Sequence, residues 1–229
     1  MFPITFKEFK SLFKSIRSII IIIVIFGTTL GIAKLVSNFK EQLEQFGLGE
    51  NTYAGGAMIM ILFAGHLFVA SLSHNIINQE ITSRTIRFIA TKTSRNNIII
   101  GKFLGITLFW TVCLFINFLL IIPFSKTFYF SDFLQSLIFI CYFIGLTILL
   151  STIISRPALT MFIGITLSII MTILGFWSIA SDNIYLKIYS YLTPYFYYSQ
   201  QNLIYPYLVL MFPILFLILS LLIMRKRDL

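Results

Sequence analysis

IIIIIVIFGTTLGIA, residues 19–33, decides the class of this chain. It carries no charge, and Arg17 and Lys34 stand at its two ends. A helix needs about 20 apolar residues to cross the ~30 Å hydrocarbon core of a bilayer. The uncharged part is short for that, so Lys34 is expected to snorkel its amine to the far interface. The same pattern recurs along the chain. Residues 51–79 contain no Asp, Glu, Lys or Arg; Lys102 and Lys126 bound a third apolar run, Asp132 and Arg156 a fourth, and Arg156 and Asp182 a fifth. A sixth starts near Pro206 and ends at Arg225. Six spans put the two ends of the sequence on one side of the membrane.

The composition agrees. Of 229 residues 58% are apolar and 11% charged, where a soluble domain carries roughly 25% charged residues. The expected fold class is therefore an all-α polytopic membrane protein. Cys113 and Cys141 lie inside apolar runs and form no CxxC pair, so they read as small core hydrophobes. The net charge of +9 could suggest nucleic acid, but in a membrane protein its distribution matters more than its sum. Lys7, Lys10, Lys14, Arg17, Arg84, Arg87, Lys92, Arg95, Lys102, Arg156, Arg225, Lys226 and Arg227 fall on one face; Lys34, Lys40, Lys126 and Lys187 fall on the other. The positive-inside rule assigns the first set, with both termini, to the cytoplasm. No nucleic-acid partner is expected.

Residues 1–16 open with FPITFKEFKSLFK. Phe2, Phe6, Phe9 and Phe13 recur at helical spacing while Lys7, Lys10 and Lys14 line another face, as in a helix lying in an anionic leaflet. That pattern is expected of an interfacial helix and not of a cleavable signal peptide. Before the sixth span, residues 181–207 hold most of the eleven tyrosines. Tyrosine favours the membrane–water interface, and the segment reads as short helices on or in the outer leaflet, broken at Pro194.

Catalytic motifs are missing. Gly101-Lys102 runs into Phe103 with no upstream glycine at P-loop spacing, and neither GxSxG nor HExxH occurs. His66 and His74, eight residues apart, would stand about 12 Å apart on one helix and cannot share a metal. Each reads instead as a bundle-facing hydrogen-bonding residue. No acidic residue falls within a span, which argues against a proton- or cation-coupled carrier. The energy source is expected to lie outside this chain.

The loop NQEITSRTIRFIATKTSRNNIIIGKFLG, residues 78–105, joins spans two and three. Residues 79–90 are expected to form a short amphipathic helix, with Ile81, Thr85 and Phe88 on one face and Glu80, Arg84 and Arg87 on another. Thr93-Ser94-Arg95-Asn96 then caps the next span. Here the chain resembles the ABC-2 family of ABC transporter permeases. Their loop reads Glu, three residues, Gly-Thr, an apolar stretch, Ser/Thr-Arg, and Gly-Lys entering the next span. Glu80, Thr85, Ser94-Arg95 and Gly101-Lys102 follow that order, with Arg84 where the family has glycine.

The resemblance implies a single transmembrane domain over residues 1–229, with a coupling loop at 78–101 that docks on separate ATPase subunits. It implies that Gln79, Glu80, Arg84, Thr85 and Arg87 face that ATPase. Ser94 and Arg95 would fix the return, and Lys102 would anchor span three at the lipid headgroups. ATP and magnesium would be bound by the partner, leaving this chain without cofactor, metal or enzymatic activity of its own. A second copy or a related permease completes the transporter, with Gly27, Gly31, Gly164 and Ser168 as small residues at the contact. The setting would be a bacterial cytoplasmic membrane.

Aromatic spans, with 25 phenylalanines in the chain, suit a hydrophobic or amphipathic substrate, and His66 and Asn117 are polar groups that could line its path. Small permeases of this kind resemble exporters of antimicrobial or cytolytic peptides such as lantibiotics and phenol-soluble modulins. Two alternatives stand beside that expectation: drug or sodium efflux by the same family, and a non-transporting receptor or scaffold using the loop to recruit a cytoplasmic protein.

Overall fold

The computed structural model describes residues 1–39, 52–86, 91, 93–200, 202 and 204–226. The chain is an all-α polytopic membrane protein: no strand occurs among the described residues, and six helical segments are long and apolar enough to cross a bilayer.

Helix α1 (Phe2–Lys14) stops at Ser15, whose extended backbone (ψ 129°) turns the chain into span one, α2 (Ile16–Asn38). Span two, expected as one run over residues 51–79, is broken. Helix α3 (Thr52–Met60) passes into a π-helical turn at Ile61–Gly65, then α4 (His66–Ser73), a turn at 74–77 and α5 (Asn78–Thr82). Span three is α6 (Arg95–Leu119) with the short α7 (Ile122–Ser125). Span four is α8 (Phe130–Ile153), and span five is α9 (Pro157–Ala180), with Pro157 at its first turn where no intrahelical donor is needed. Two short helices follow at the far end, α10 (Ile184–Ser190) and α11 (Pro194–Ser199). Span six begins as α12 (Tyr205–Leu208) and continues as α13 (Met211–Lys226).

Span four is the axis. Of its apolar window 72% is buried against other elements, compared with 22% for spans one and six. It packs against spans two, three and six. Gly145 lets span six close on it, because a Cβ there would stand 2.9 Å from the Cα of Pro213. The apolar side chains left exposed on spans one, five and six, such as Ile23, Phe162 and Ile214, are those a lipid-facing surface requires.

The N-terminal helix does not lie free. Helix α1 rests on span three, and Gly101 and Gly105 make the approach possible: a Cβ on Gly105 would fall 2.8 Å from the carbonyl oxygen of Thr5. Its phenylalanine stripe divides accordingly. Phe2 and Phe6 are exposed, whereas Phe9 and Phe13 turn inward, with the Phe13 ring edge-on to Phe109 at 4.8 Å.

The helix expected over residues 79–90 also differs. Helix α5 ends at Thr82, and Arg84 adopts φ 57°, the left-handed region. Local hydroxyls stop the helix: Thr82 donates to the carbonyls of Asn78 and Ser155 (both 2.8 Å), and the Ser83 and Thr85 hydroxyls pair at 2.8 Å. Such side chains offer backbone groups an alternative to the helical ladder. Residues 87–90, with Phe88 and Arg87 of the expected amphipathic faces, lie outside the described residues.

Candidate functional site

The first end of the bundle gathers α1, the base of span three, and the end of span two into one polar joint. Lys102 lies about two turns into α6 and is 2% exposed. Its amine forms ion pairs with Glu8 of α1 (2.7 Å) and Glu80 of α5 (2.9 Å). The expectation of Lys102 as a headgroup anchor is therefore corrected. A buried ammonium group is costly unless paired with carboxylates, and here two are supplied from two different elements. Glu80 turns its carboxylate inward onto Lys102, with 16% of the side chain exposed.

The same short helix is tied on its other side. The Asn78 amide donates to the Thr160 hydroxyl at 2.6 Å, and the backbone N–H groups of Ile77 and Asn78 donate to the Ser151 hydroxyl at 3.1 and 3.2 Å. With the bond from Thr82 to the Ser155 carbonyl, α5 is fastened to the ends of spans four and five as well. Gln79, Ser83, Arg84 and Thr85 remain exposed, with Gln79, Ser83 and Thr85 in the wall of a cavity that Glu8 and Lys102 also line; Asn75 donates to Gln79 Oε1 at 2.7 Å.

Ser94 caps span three as its spacing predicts, accepting from the Asn97 N–H at 3.3 Å. Arg95 reaches the other terminus. Its guanidinium donates to the carbonyls of Met224 (3.0 Å) and Arg225 (3.2 Å), and Arg225 donates back to Asn96 Oδ1 at 3.2 Å. Cations suit a helix C-terminus, where the last carbonyls lack partners. Arg95 thus joins spans three and six, and Arg87 lies outside the described residues.

A second polar cluster sits within the spans. His66 Nε2 is 3.2 Å from the Thr172 hydroxyl, which is 2.8 Å from the Tyr195 phenol; that phenol also donates to the Leu62 carbonyl at 3.3 Å. Leu62 belongs to the π-helical turn, where the ladder is irregular and a carbonyl is open to an outside donor. Tyr195 comes from α11, so the tyrosine-rich segment dips between spans two and five. Gly175 leaves room for its ring. Burial pushes the Tyr195 phenol up to about 12, so it stays a neutral donor. Asn117, buried in span three, is not part of this network, and its amide has no partner among the described residues.

The small residues separate into two groups. Gly27 and Gly31 face open space, with nothing within 4 Å of an added Cβ. Gly164 and Ser168 are buried inside the chain, Gly164 against Ala70 of α4, where they let span five pack on span two. The expectation that this second pair meets another chain is corrected: they are already covered from within.

Sequence reasoning passed over Glu8, Asn78, Thr172 and Tyr195. For Glu8 a signal existed: it is the sole acid among the first 40 residues, and Glu80 is as isolated in its basic loop. The neutral partners carried none. Among the described residues, no group of three or more His, Cys, Asp or Glu side chains is placed to hold a metal. No family model and no curated protein matches the chain.

Proposed function

We propose that this chain is the membrane-spanning subunit of an ATP-driven exporter of the ABC-2 class, with α5 and the turn after it as the coupling element. What carries the reading is the division within residues 78–85. Asn78, Glu80 and Thr82 fasten the segment to spans three, four and five, and through Lys102 to Glu8 of α1, while Gln79, Arg84 and Thr85 stay exposed. A push on the exposed side is transmitted to four elements at once. On this reading the push comes from a pair of separate ATPase subunits that close over ATP and magnesium. On this reading the joint faces the bacterial cytoplasm, two such chains assemble, and the open Gly27–Gly31 face of span one is the place for the second. The substrate is amphipathic and peptide-like, matching spans lined with aromatic and aliphatic groups.

The test is purification from the native host in mild detergent with identification of the co-purifying proteins. A stoichiometric ABC ATPase should accompany the wild-type chain and be lost from a Gln79→Ala, Arg84→Ala, Thr85→Ala variant. Retention of the ATPase by that variant overturns the choice of contact residues. A chain that carries no ATPase overturns the exporter reading and leaves a receptor or scaffold.

A further inference from the structure

Beneath α1, between it, the Ser15–Arg17 junction and the basic end of span two, lies a half-open cavity of about 710 Å³. Two polar stripes line it. Lys7, Ser11 and Ser15 descend from the N-terminal side, and Ser71, Asn75 and Gln79 face them from span two. Lys7 and Ser11, four residues apart, share one face of α1 and Ser15 follows at the junction, while Ser71, Asn75 and Gln79 come from α4, the turn at 74–77 and α5. At one end stands the Glu8–Lys102–Glu80 joint. There Lys102 is consumed by its two carboxylates, while Glu80 Oε2 has no hydrogen-bond partner among the described residues. Lys7 and Arg17, also in the wall, are exposed and form no ion pair among the described residues.

The cavity thus offers two free cations, with the hydroxyls of Ser11 and Ser15 and the amide of Asn75 in its walls between them and the carboxylates of the joint. Beside it the surface turns apolar at once. Ile20 and Val24, three and seven residues beyond Arg17 and so on its side of α2, are 56% and 41% exposed. A polar chamber at the level of an amphipathic helix, opening onto a bare aliphatic helix face, matches a molecule with one anionic head and hydrocarbon tails. Basic pockets between helices at a membrane surface favour such heads.

We propose that this cavity binds the headgroup of an anionic phospholipid bearing hydroxyl groups, phosphatidylglycerol in kind. Its phosphate lies between Lys7 and Arg17, its headgroup hydroxyls meet the polar side chains of Ser11 and Asn75, and the acyl chains run along Ile20 and Val24. A bare phosphate is disfavoured, because two carboxylate residues, Glu8 and Glu80, close the cavity's end. The proposal does not depend on the exporter reading, since the chamber is built by this chain alone.

The probe is dioleoyl phosphatidylglycerol, titrated onto the delipidated full-length chain in detergent and counted by native mass spectrometry. One tightly held lipid per chain is expected, with at least tenfold preference over dioleoyl phosphatidylcholine. Lys7→Ala with Arg17→Ala should weaken that binding at least tenfold. Lys10→Ala with Lys14→Ala removes equal charge from outside the cavity wall and should leave it unchanged. Equal loss in both pairs means general attraction to a basic surface and overturns the site. So does equal binding of phosphatidylcholine, or displacement of the lipid by millimolar inorganic phosphate, which would mark an anion pocket indifferent to lipid. Where the first pair fails to fold, Ser11→Phe fills the chamber instead and has to abolish the tight lipid; tight binding that persists in it overturns the proposal.

Discussion

The two ends of this bundle are fastened by different chemistry. At the end holding α1 and α5, the central tie is ionic: Lys102 between Glu8 and Glu80. At the opposite end the ties are neutral, and most run from a phenol to a backbone carbonyl. Tyr142 donates to the carbonyl of Leu192 (2.7 Å), Tyr198 to that of Gln135 (2.6 Å) and Tyr195 to that of Leu62 (3.3 Å). A phenol on a carbonyl fixes an element against the framework, and burial holds the Tyr195 and Tyr198 protons firmly in place. An ion triad is different, because losing Lys102 leaves two carboxylates without a cation in a dry place. One end is built as a plug and the other as a linkage whose parts must move together.

Breaking the linkage should have the largest effect. Lys102→Met leaves Glu8 and Glu80 facing each other without a cation. Removing one partner of a buried ion pair costs about 3–5 kcal/mol, so the thermal transition of the purified chain should fall by many degrees. Adding Glu8→Gln and Glu80→Gln to Lys102→Met should recover most of that loss, since no charge is then stranded. A triple variant as unstable as the single would show that Lys102 acts through packing of its stem and not through its charge.

Breaking the plug should cost less. Tyr195→Phe keeps the ring against Gly175 and Phe139 but removes the hydroxyl shared with Thr172 and Leu62. Leaving a buried acceptor without its donor costs about 1–3 kcal/mol. The same thermal measurement checks it, and a loss as large as that of Lys102→Met would erase the contrast between the ends. Tyr197→Phe, whose hydroxyl donates to the Tyr191 carbonyl at an exposed position, should change almost nothing.

How much of this was legible beforehand follows from the kind of signal each feature leaves. The spans were legible because lipid demands long uncharged runs, and the Ser94 cap because a hydroxyl before a helix has one common use. The tyrosine-rich helices were legible as interfacial, but not the depth of Tyr195, which is set by Gly175 and a π-helical turn far away in sequence. The pairing of Lys102 with Glu8 was hidden for the same reason. A lysine at the start of a span reads as a headgroup anchor until another helix is laid across it, and only Gly101 and Gly105 hint that one is. Gly164 and Ser168 were misplaced because a small-residue pair does not say whether its neighbour belongs to the same chain. The partners of Arg95 were hidden for a similar reason: they are carbonyls at the end of span six, and carbonyls leave no mark in a sequence.

Apart from the Tyr197→Phe control, the smallest effect expected is a gain. Arg84 sits at φ 57°, where an L-residue crowds its Cβ against the backbone at a cost of about 1–2 kcal/mol and glycine does not. Glycine loses more chain entropy on folding, by roughly 0.5–1 kcal/mol, so Arg84→Gly should stabilise the turn by a net of about 0.5–1 kcal/mol. Amide exchange at Ser83 and Thr85 should slow while the rest of the bundle is unchanged. Arg84→Ala, which keeps the crowding, should not share the gain. If Arg84→Gly exchanges faster instead, the guanidinium itself holds the turn, and the linkage at this end extends one residue beyond α5 into its exposed side. That outcome would sharpen the contrast between the two ends, because the moving end would then depend on charge at its outer surface as well as in its interior.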